Sequence, residues 1–166
     1  MTTIHDDLIV RSADIRWPVD LDPVHADLFA HNAVVINAPA KSIWATLISA
    51  AAWPKWYSNA SEVVIDDPSG QLGEGVSFSW TTFGFKISSK VAEFAPYTRL
   101  GWYGNGDQLR AYHTWLLVPR LGDSTYVVME EIGMGDGARH LAQTNPGHMH
   151  RGHDLWNISL KFACEA

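Results

Sequence analysis

The feature that most constrains the fold is a series of strand-like segments between residues 76 and 133, separated by short runs of turn residues. They read VSFSWTT, FKISSKVAEFAP, TRLGWYG, LRAYHTWLLVP and STYVVMEEIG. Short β-rich segments joined by a few turn residues are typical of hairpins. The spacing therefore predicts an antiparallel meander. With a further segment at residues 62–66, six strands are predicted in the part of the chain between residues 62 and 133.

Alternation along these segments separates an apolar face from a polar one. Phe78 and Trp80 alternate with serines, and the same period-two pattern continues through the following segments. In LRAYHTWLLVP, pointing Arg110 and Thr114 outward places His113 on the apolar side. The residues predicted to share this face are Phe78, Trp80, Phe85, Ile87, Val91, Leu100, Trp102, Ala111, His113, Trp115 and Leu117. One face of the sheet is therefore expected to be aromatic.

His113 is expected to pair with a carboxylate on the next strand. Equal offsets from the turn RLGD bring residue 113 opposite residue 130 or 131, and Glu131 shares its parity with Thr125, Val127 and Met129. We therefore predict a cross-strand pair of His113 and Glu131, and a shift of one residue would substitute Glu130. A neutral imidazole held by a carboxylate can transfer protons near neutral pH. The alternative is structural, since buried polar groups are nearly always paired.

The last thirty residues contain three closely spaced histidines in NPGHMHRGHDLW. Asn145 as a cap and Pro146 at the first position predict a helix start. At 100° per residue, His148, Gly152, Leu155, Trp156, Ser159, Phe162 and Ala163 are predicted to face the sheet, and His150, Asp154, Asn157 and Lys161 to face water. Only His150 and His153 have the spacing of a metal-binding pair, on the wet side. We therefore expect no metal and no other cofactor.

Composition narrows the functional class. Hydrophobic residues make up 46% of the 166 residues, no apolar run approaches the length that spans a bilayer, and the formal charge of -6 includes no basic cluster. These values indicate a globular chain without a membrane span, and they disfavour nucleic acid as a partner. The single cysteine, Cys164, and the lack of a signal-peptide pattern predict a cytoplasmic location.

The N-terminal half divides into an arm and the start of a domain. Residues 1–30 read as an irregular arm, and residues 31–166 as a single domain that opens with the strand HNAVVINAP and a helix in APAKSIWATLISAAAW. Two roles remain open for the arm, which contains Trp17. It could cover a cavity mouth, or it could pair with a second copy of the chain in a homodimer.

Several of these segments resemble the polyketide cyclase/dehydrase family of the START-like (SRPBCC, Bet v 1-like) superfamily. Ala38, Pro39 and Trp44 match its "APxxxVW" helix entry, and Pro54 and Trp56 match a following "PxW" element. AYHTWLLVP is similar to a family strand, and STYVVMEEIGMG to its closing strand. The resemblance covers about residues 33–163.

The resemblance implies an α+β helix-grip fold, in which a curved antiparallel sheet wraps around a long C-terminal helix and encloses a hydrophobic cavity. A hydrophobic or aromatic small molecule is the expected partner. Catalysis is expected from His113 and Glu131. Ligand contacts are expected from Phe78, Trp80, Ile87, Trp102, Trp115, Met129, His148, Gly152 and Trp156.

Three functional classes remain open at this stage. The first is a cyclase or dehydratase that uses proton transfer between His113, Glu131 and its substrate. The second is a non-catalytic carrier or sensor of a lipid or aromatic molecule. The third is an activator of a heat-shock ATPase, as in relatives of the family, which would require an exposed apolar surface.

Overall fold

A seven-stranded antiparallel sheet forms the centre of the computed structural model, which describes residues 4–166. Its strand order is β1-β7-β6-β5-β4-β3-β2. The strands are β1 (Leu28–Ile36), β2 (Ala60–Ile65), β3 (Ser77–Thr82), β4 (Phe85–Ala95), β5 (Arg99–Gly106), β6 (Leu109–Arg120) and β7 (Ser124–Met134). The helices are α1 (Ile4–Val10), α2 (Ala40–Ile48), α3 (Asp136–Thr144) and α4 (His148–Glu165). The predicted α+β helix-grip architecture is confirmed.

Strand register places the polar pair where the sequence predicts it. His113 on β6 lies opposite Glu131 on β7, and Trp102 on β5 lies opposite His113. Register shifts in β2, between Ser61 and Val64, and in β4, between Val91 and Glu93, interrupt the ladder. Such bulges increase local twist and bend a sheet. We call the face that carries His113 and Glu131 the inner face, because α4 lies against it.

Helix α2 closes one end of the inner face. Ile43, Trp44 and Leu47 of α2 are buried, as the predicted helical spacing requires. A 3-10 helix follows at Ala50–Lys55, and the indole of its buried Trp53 donates a hydrogen bond to the Leu47 carbonyl over 3.0 Å. This end of the domain is therefore filled by side chains.

Helix α4 differs from its prediction in both start and orientation. It begins at His148 after Gly147, two residues later than the Asn145–Pro146 signal indicates. Its buried residues are Met149, His153, Trp156, Asn157 and Leu160. The predicted inward residues Leu155 and Phe162 are instead 44% and 69% exposed, and Gly152, Ser159 and Ala163 are half-buried. The rotation has a physical cause, because it brings His153 within hydrogen-bond distance of the Glu131 carboxylate.

The N-terminal arm covers the outer face of the sheet from Ser12 onward, and its helix α1 lies beside β1 and α4. The Trp17 ring makes edge contacts with Phe29 and Tyr112, at centroid distances of 6.1 and 6.0 Å. Glu130, fully buried beneath the arm, accepts the Ser12 backbone N–H at 2.6 Å. Trp17 therefore does not cover a cavity mouth on the inner face. The arm is also not wholly irregular, because residues Ile4–Val10 form helix α1.

No helix in the described part of the chain combines the length and apolar character that a membrane crossing needs.

Candidate functional site

A cavity of about 350 Å³ lies between the inner face, α3 and the first turns of α4. Its size falls at the lower end of the range for small-molecule sites. Aromatic and aliphatic side chains form most of its wall. Its lining comprises Leu28, Trp80, Thr82, Phe83, Phe85, Ile87, Trp102, Gly104, Asp107, Gln108, Leu109, Ala111, His113, Glu131, Gly133, Gly137, Ala138, His140, Leu141, Met149 and Trp156.

Two polar residues of the cavity wall, His113 and Glu131, meet a third, His153, which lies behind the wall. The Nδ1 atom of His113 and the Nε2 atom of His153 each lie 2.9 Å from the same oxygen of Glu131, Oε2. The two imidazole rings are perpendicular, with centroids 5.3 Å apart. His113 and His153 are buried, whereas the Glu131 side chain keeps 19% of its surface exposed. We call these three residues the His–Glu–His cluster.

Hydrogen bonding determines the protonation of the cluster. Burial alone would raise the pKa of the Glu131 carboxyl, but the hydrogen bonds from His113 and His153 outweigh it and hold that pKa well below its ordinary value. Burial lowers the pKa of His113, against the opposing effect of Glu131. His113 is therefore neutral at neutral pH and carries its proton on Nδ1, since an ionised carboxylate only accepts.

This arrangement leaves one nitrogen of each ring without a hydrogen bond. Nε2 of His113 and Nδ1 of His153 are buried and have no partner within residues 4–166. For a neutral His113, Nε2 is a lone pair that can accept a proton. Burying such an atom unpaired costs about 1–3 kcal/mol, and that cost would be offset by a ligand that supplies a donor.

Indole rings hold His113 in place. Its ring stacks on Trp102, with centroids 4.6 Å apart and planes 16° apart, and it lies 4.9 Å from the Trp156 ring. Trp156 in turn stacks on Tyr57 at 4.6 Å, with planes only 2° apart. These contacts exclude water from the imidazole and fix its orientation.

The predicted ligand contacts divide into three groups. Trp80, Ile87, Trp102 and Trp156 line the cavity together with His113 and Glu131. Phe78, Trp115 and Met129 belong to the same buried core but do not line the cavity. His148 and Gly152 lie outside the cavity, in a shallow outer groove lined by Ser58, Asn59, Phe83, His148, Arg151, Gly152 and Leu155. These five residues therefore lie outside the cavity wall, and their contact with a ligand stays a prediction.

His153 was not predicted as a site residue, because its spacing to His150 placed it on the wet side of the helix. Its spacing of three residues to Trp156 and four to Met149 marks the same helical stripe and could have revealed it. Phe83 and the α3 residues were also missed. No periodic pattern signals them, since they occupy a turn and a short helix.

The His–Glu–His cluster is also the group of described residues whose spacing could hold a metal ion. Its ligand atoms lie within 4.8 Å of one another, and two imidazoles with a carboxylate are a ligand set used by zinc and iron. Two hydrogen bonds of 2.9 Å to one oxygen account for this spacing with protons alone. His150, by contrast, pairs with Asp7 of α1 at 2.9 Å and fastens the arm to α4.

Comparisons with known proteins agree with this architecture. No curated protein matches the sequence. A hypothetical protein, jhp0584 from Helicobacter pylori, is 28% identical over 93% of this chain and 98% of that chain, with a TM-score of 0.85. A START superfamily protein from Mycobacterium smegmatis is 16% identical, covers 82% of this chain and 97% of that chain, and has a TM-score of 0.64.

A third similar structure is the Zhui aromatase/cyclase from Streptomyces sp. R1128. It is 14% identical over 82% of this chain and 93% of that chain, with a TM-score of 0.66. At this identity the likeness concerns the fold. The family model for polyketide cyclase/dehydrase and lipid transport proteins matches residues 30–144, well over half of the sequence. The chain therefore belongs to the polyketide cyclase/dehydrase and lipid transport family.

Proposed function

We propose that the protein is an enzyme that binds a hydrophobic or aromatic carbonyl compound in the cavity and promotes its cyclisation or dehydration. The observation that carries the proposal is the Glu131 carboxyl group held between two imidazoles at the wall of a mainly apolar cavity. Apolar walls hold an aromatic substrate, and the cluster supplies the polar group that most such sites use for orientation and chemistry.

His113 is the proposed base. In a cyclisation, its Nε2 removes a proton from the carbon beside a carbonyl, and the enolate forms a carbon–carbon bond to a second carbonyl carbon of the same molecule. The imidazolium then returns the proton to the new alkoxide. In a dehydration, His113 removes a proton next to the hydroxyl-bearing carbon and transfers it to the departing hydroxyl, which leaves as water. A positioned imidazole typically contributes roughly 10²–10⁴-fold to such steps.

Glu131 and His153 are positioning residues in this proposal. The Glu131 carboxylate orients His113 through Nδ1 and stabilises the imidazolium while the proton is held. His153 donates to the same oxygen and so restrains the carboxylate.

The proposal is tested by a model reaction that needs only a base in an apolar site, the ring opening of 5-nitrobenzisoxazole. His113→Gln and Glu131→Gln should each lower the rate at least about tenfold, while 2-naphthol binding, followed by its fluorescence, changes less than about twofold. His140→Gln is the matched control, because His140 lines the same cavity at an exposed position. Equal rates in wild type and His113→Gln would refute the proposed base.

A second function, a non-catalytic carrier of a lipid or aromatic molecule, is supported by the apolar cavity wall and by the family's lipid transport members. A carrier would retain an organic molecule when the protein is purified from its own host, which native mass spectrometry detects. It would also bind 2-naphthol without promoting the ring opening. Turnover of 5-nitrobenzisoxazole therefore distinguishes the enzyme from the carrier.

A further inference from the structure

Phe83 occupies a backbone position that disfavours it. Thr82 pairs directly with Phe85, so Phe83 and Gly84 form a two-residue hairpin turn with φ angles of 51° and 76°. Turns of this type favour asparagine, aspartate or glycine at the first position, because the left-handed region crowds other side chains. A phenylalanine there indicates that its ring has a role that outweighs the backbone preference.

The turn is fixed to the neighbouring loop. The Phe83 backbone N–H donates to Oδ1 of Asn59 over 3.0 Å, and the Asn59 amide donates to the Tyr57 hydroxyl over 3.0 Å. Tyr57 is itself stacked on Trp156 at the cavity wall. The Phe83 backbone is therefore held while its side chain remains half-buried.

A notch in α4 receives the Phe83 ring. A Cβ atom at Gly152 would lie 2.2 Å from Cε1 and 2.3 Å from Cζ of Phe83, so only glycine fits at this position without moving the ring. The ring also makes edge contacts with His148 at 5.1 Å and with His153 at 6.2 Å. Phe83 thus stands between the buried cluster and the surface of α4.

The same ring separates two spaces of opposite character. Phe83 lines both the inner cavity and the outer groove. The cavity is mainly apolar, whereas the groove presents the polar side chains of Asn59, His148 and Arg151. The Arg151 guanidinium hydrogen-bonds to the neutral amide of Asn145 at 2.6 Å, and within residues 4–166 no carboxylate forms an ion pair with it.

We propose that Phe83 is the specificity-determining partition of the site. Its ring closes the apolar cavity against the outer groove and restricts bound ligands to compact one- or two-ring molecules. When the ring is displaced, the joined space accepts a larger aromatic anion, whose charged group lies in the groove beside Arg151. This inference deepens the proposed function and rests on its cavity being a binding site.

The test compares two fluorescent probes, the compact 2-naphthol and the larger anion 8-anilinonaphthalene-1-sulfonate. Phe83→Ala should raise the affinity for the anilinonaphthalene probe at least about tenfold relative to the affinity for 2-naphthol. Phe85→Ala is the matched control, since Phe85 lies on the same hairpin and lines the cavity but not the groove. It should leave affinity for the larger probe unchanged.

A second experiment tests the role of Arg151. Adding Arg151→Gln to Phe83→Ala should remove most of the gain, because the groove then lacks its cation. An unchanged affinity for the larger probe in Phe83→Ala, or an equal gain in Phe85→Ala, would overturn the partition. Failure of the wild type and of every variant to bind 2-naphthol would instead refute the binding cavity itself.

Discussion

Gly152→Ala is the substitution whose effect the structure defines most sharply. The new methyl group would lie 2.2 Å from the Phe83 ring, far inside the distance at which carbon atoms pack, so the ring must leave its place. Phe83 can move because it is a flexible side chain at a half-buried turn. The effect on stability therefore depends on whether Phe83 is present.

Two opposing contributions determine how much Gly152→Ala changes the free energy of unfolding. Alanine in a helix interior is about 0.8–1 kcal/mol more favourable than glycine. Full burial of a phenylalanine side chain contributes about 1.5–3 kcal/mol, so loss of a half-buried ring contact costs about 1–1.5 kcal/mol. We therefore expect Gly152→Ala to be close to neutral or slightly destabilising in the wild type. In a Phe83→Ala background it should stabilise by about 1 kcal/mol.

Urea denaturation of the wild type, Phe83→Ala, Gly152→Ala and the double variant gives a double-mutant cycle. The expected coupling between Phe83 and Gly152 is about 1–1.5 kcal/mol, which exceeds the scatter of such measurements for non-interacting sites. An identical effect of Gly152→Ala in both backgrounds would show that the ring does not occupy the notch. The partition proposed for Phe83 would then lose its geometric basis.

Three further predictions concern the cavity and its cluster. Because burial lowers the pKa of His113 below its ordinary 6.5, the unfolded chain binds a proton that the folded chain does not, and stability is lost as pH falls below that value. Urea denaturation should show the wild type losing up to about 1.4 kcal/mol per pH unit more than His113→Gln in this range, and parallel curves would contradict the assignment. Trp102→Ala should weaken 2-naphthol binding by about 1–3 kcal/mol, whereas Leu155→Ala, in the outer groove, should leave it unchanged; equal affinities in a fluorescence titration would place the ligand elsewhere. Elemental analysis of untagged, chelator-treated protein should give less than stoichiometric zinc, and a full equivalent would make the His–Glu–His cluster a metal site.

Strand alternation predicted the sheet and its central pair correctly because apolar and polar residues alternate along most of the strands, although residues 111–117 of β6 are buried on both faces. A slip of one residue would turn every inward side chain of a strand to the other face. The parity of Thr125, Val127, Met129 and Glu131 favoured Glu131 over Glu130 as the partner of His113, and the observed register confirms this pairing. Glu130 is instead buried under the arm, where it pairs with His31 at 2.7 Å.

Helix orientation could not be predicted in the same way, because the decisive partner lies on another element. An apolar count along α4 favours Leu155 and Phe162 as inward residues, yet both are exposed. The buried stripe contains His153 and Asn157, two polar residues whose burial no hydrophobicity pattern anticipates. A carboxylate on β7 makes the inward position favourable for His153.

The cavity wall was predicted only in part for a related reason. Inward parity identifies which residues face α4 but not which of them lie beside a void. Both Trp102 and Trp115, on neighbouring strands, are buried in the core, but only Trp102 lines the cavity. The difference depends on where α3 lies, and this short helix has no sequence signal strong enough to predict it.

The arrangement of protons in the His–Glu–His cluster is the central claim, and nitrogen NMR of the imidazole rings at neutral pH tests it most directly. We expect His113 to be the neutral tautomer that is protonated on Nδ1 and unprotonated on Nε2. His153 is expected to carry a proton on Nε2, directed at Glu131. A His113 ring protonated on Nε2 would contradict this account, because the atom proposed to accept the substrate proton would already carry one.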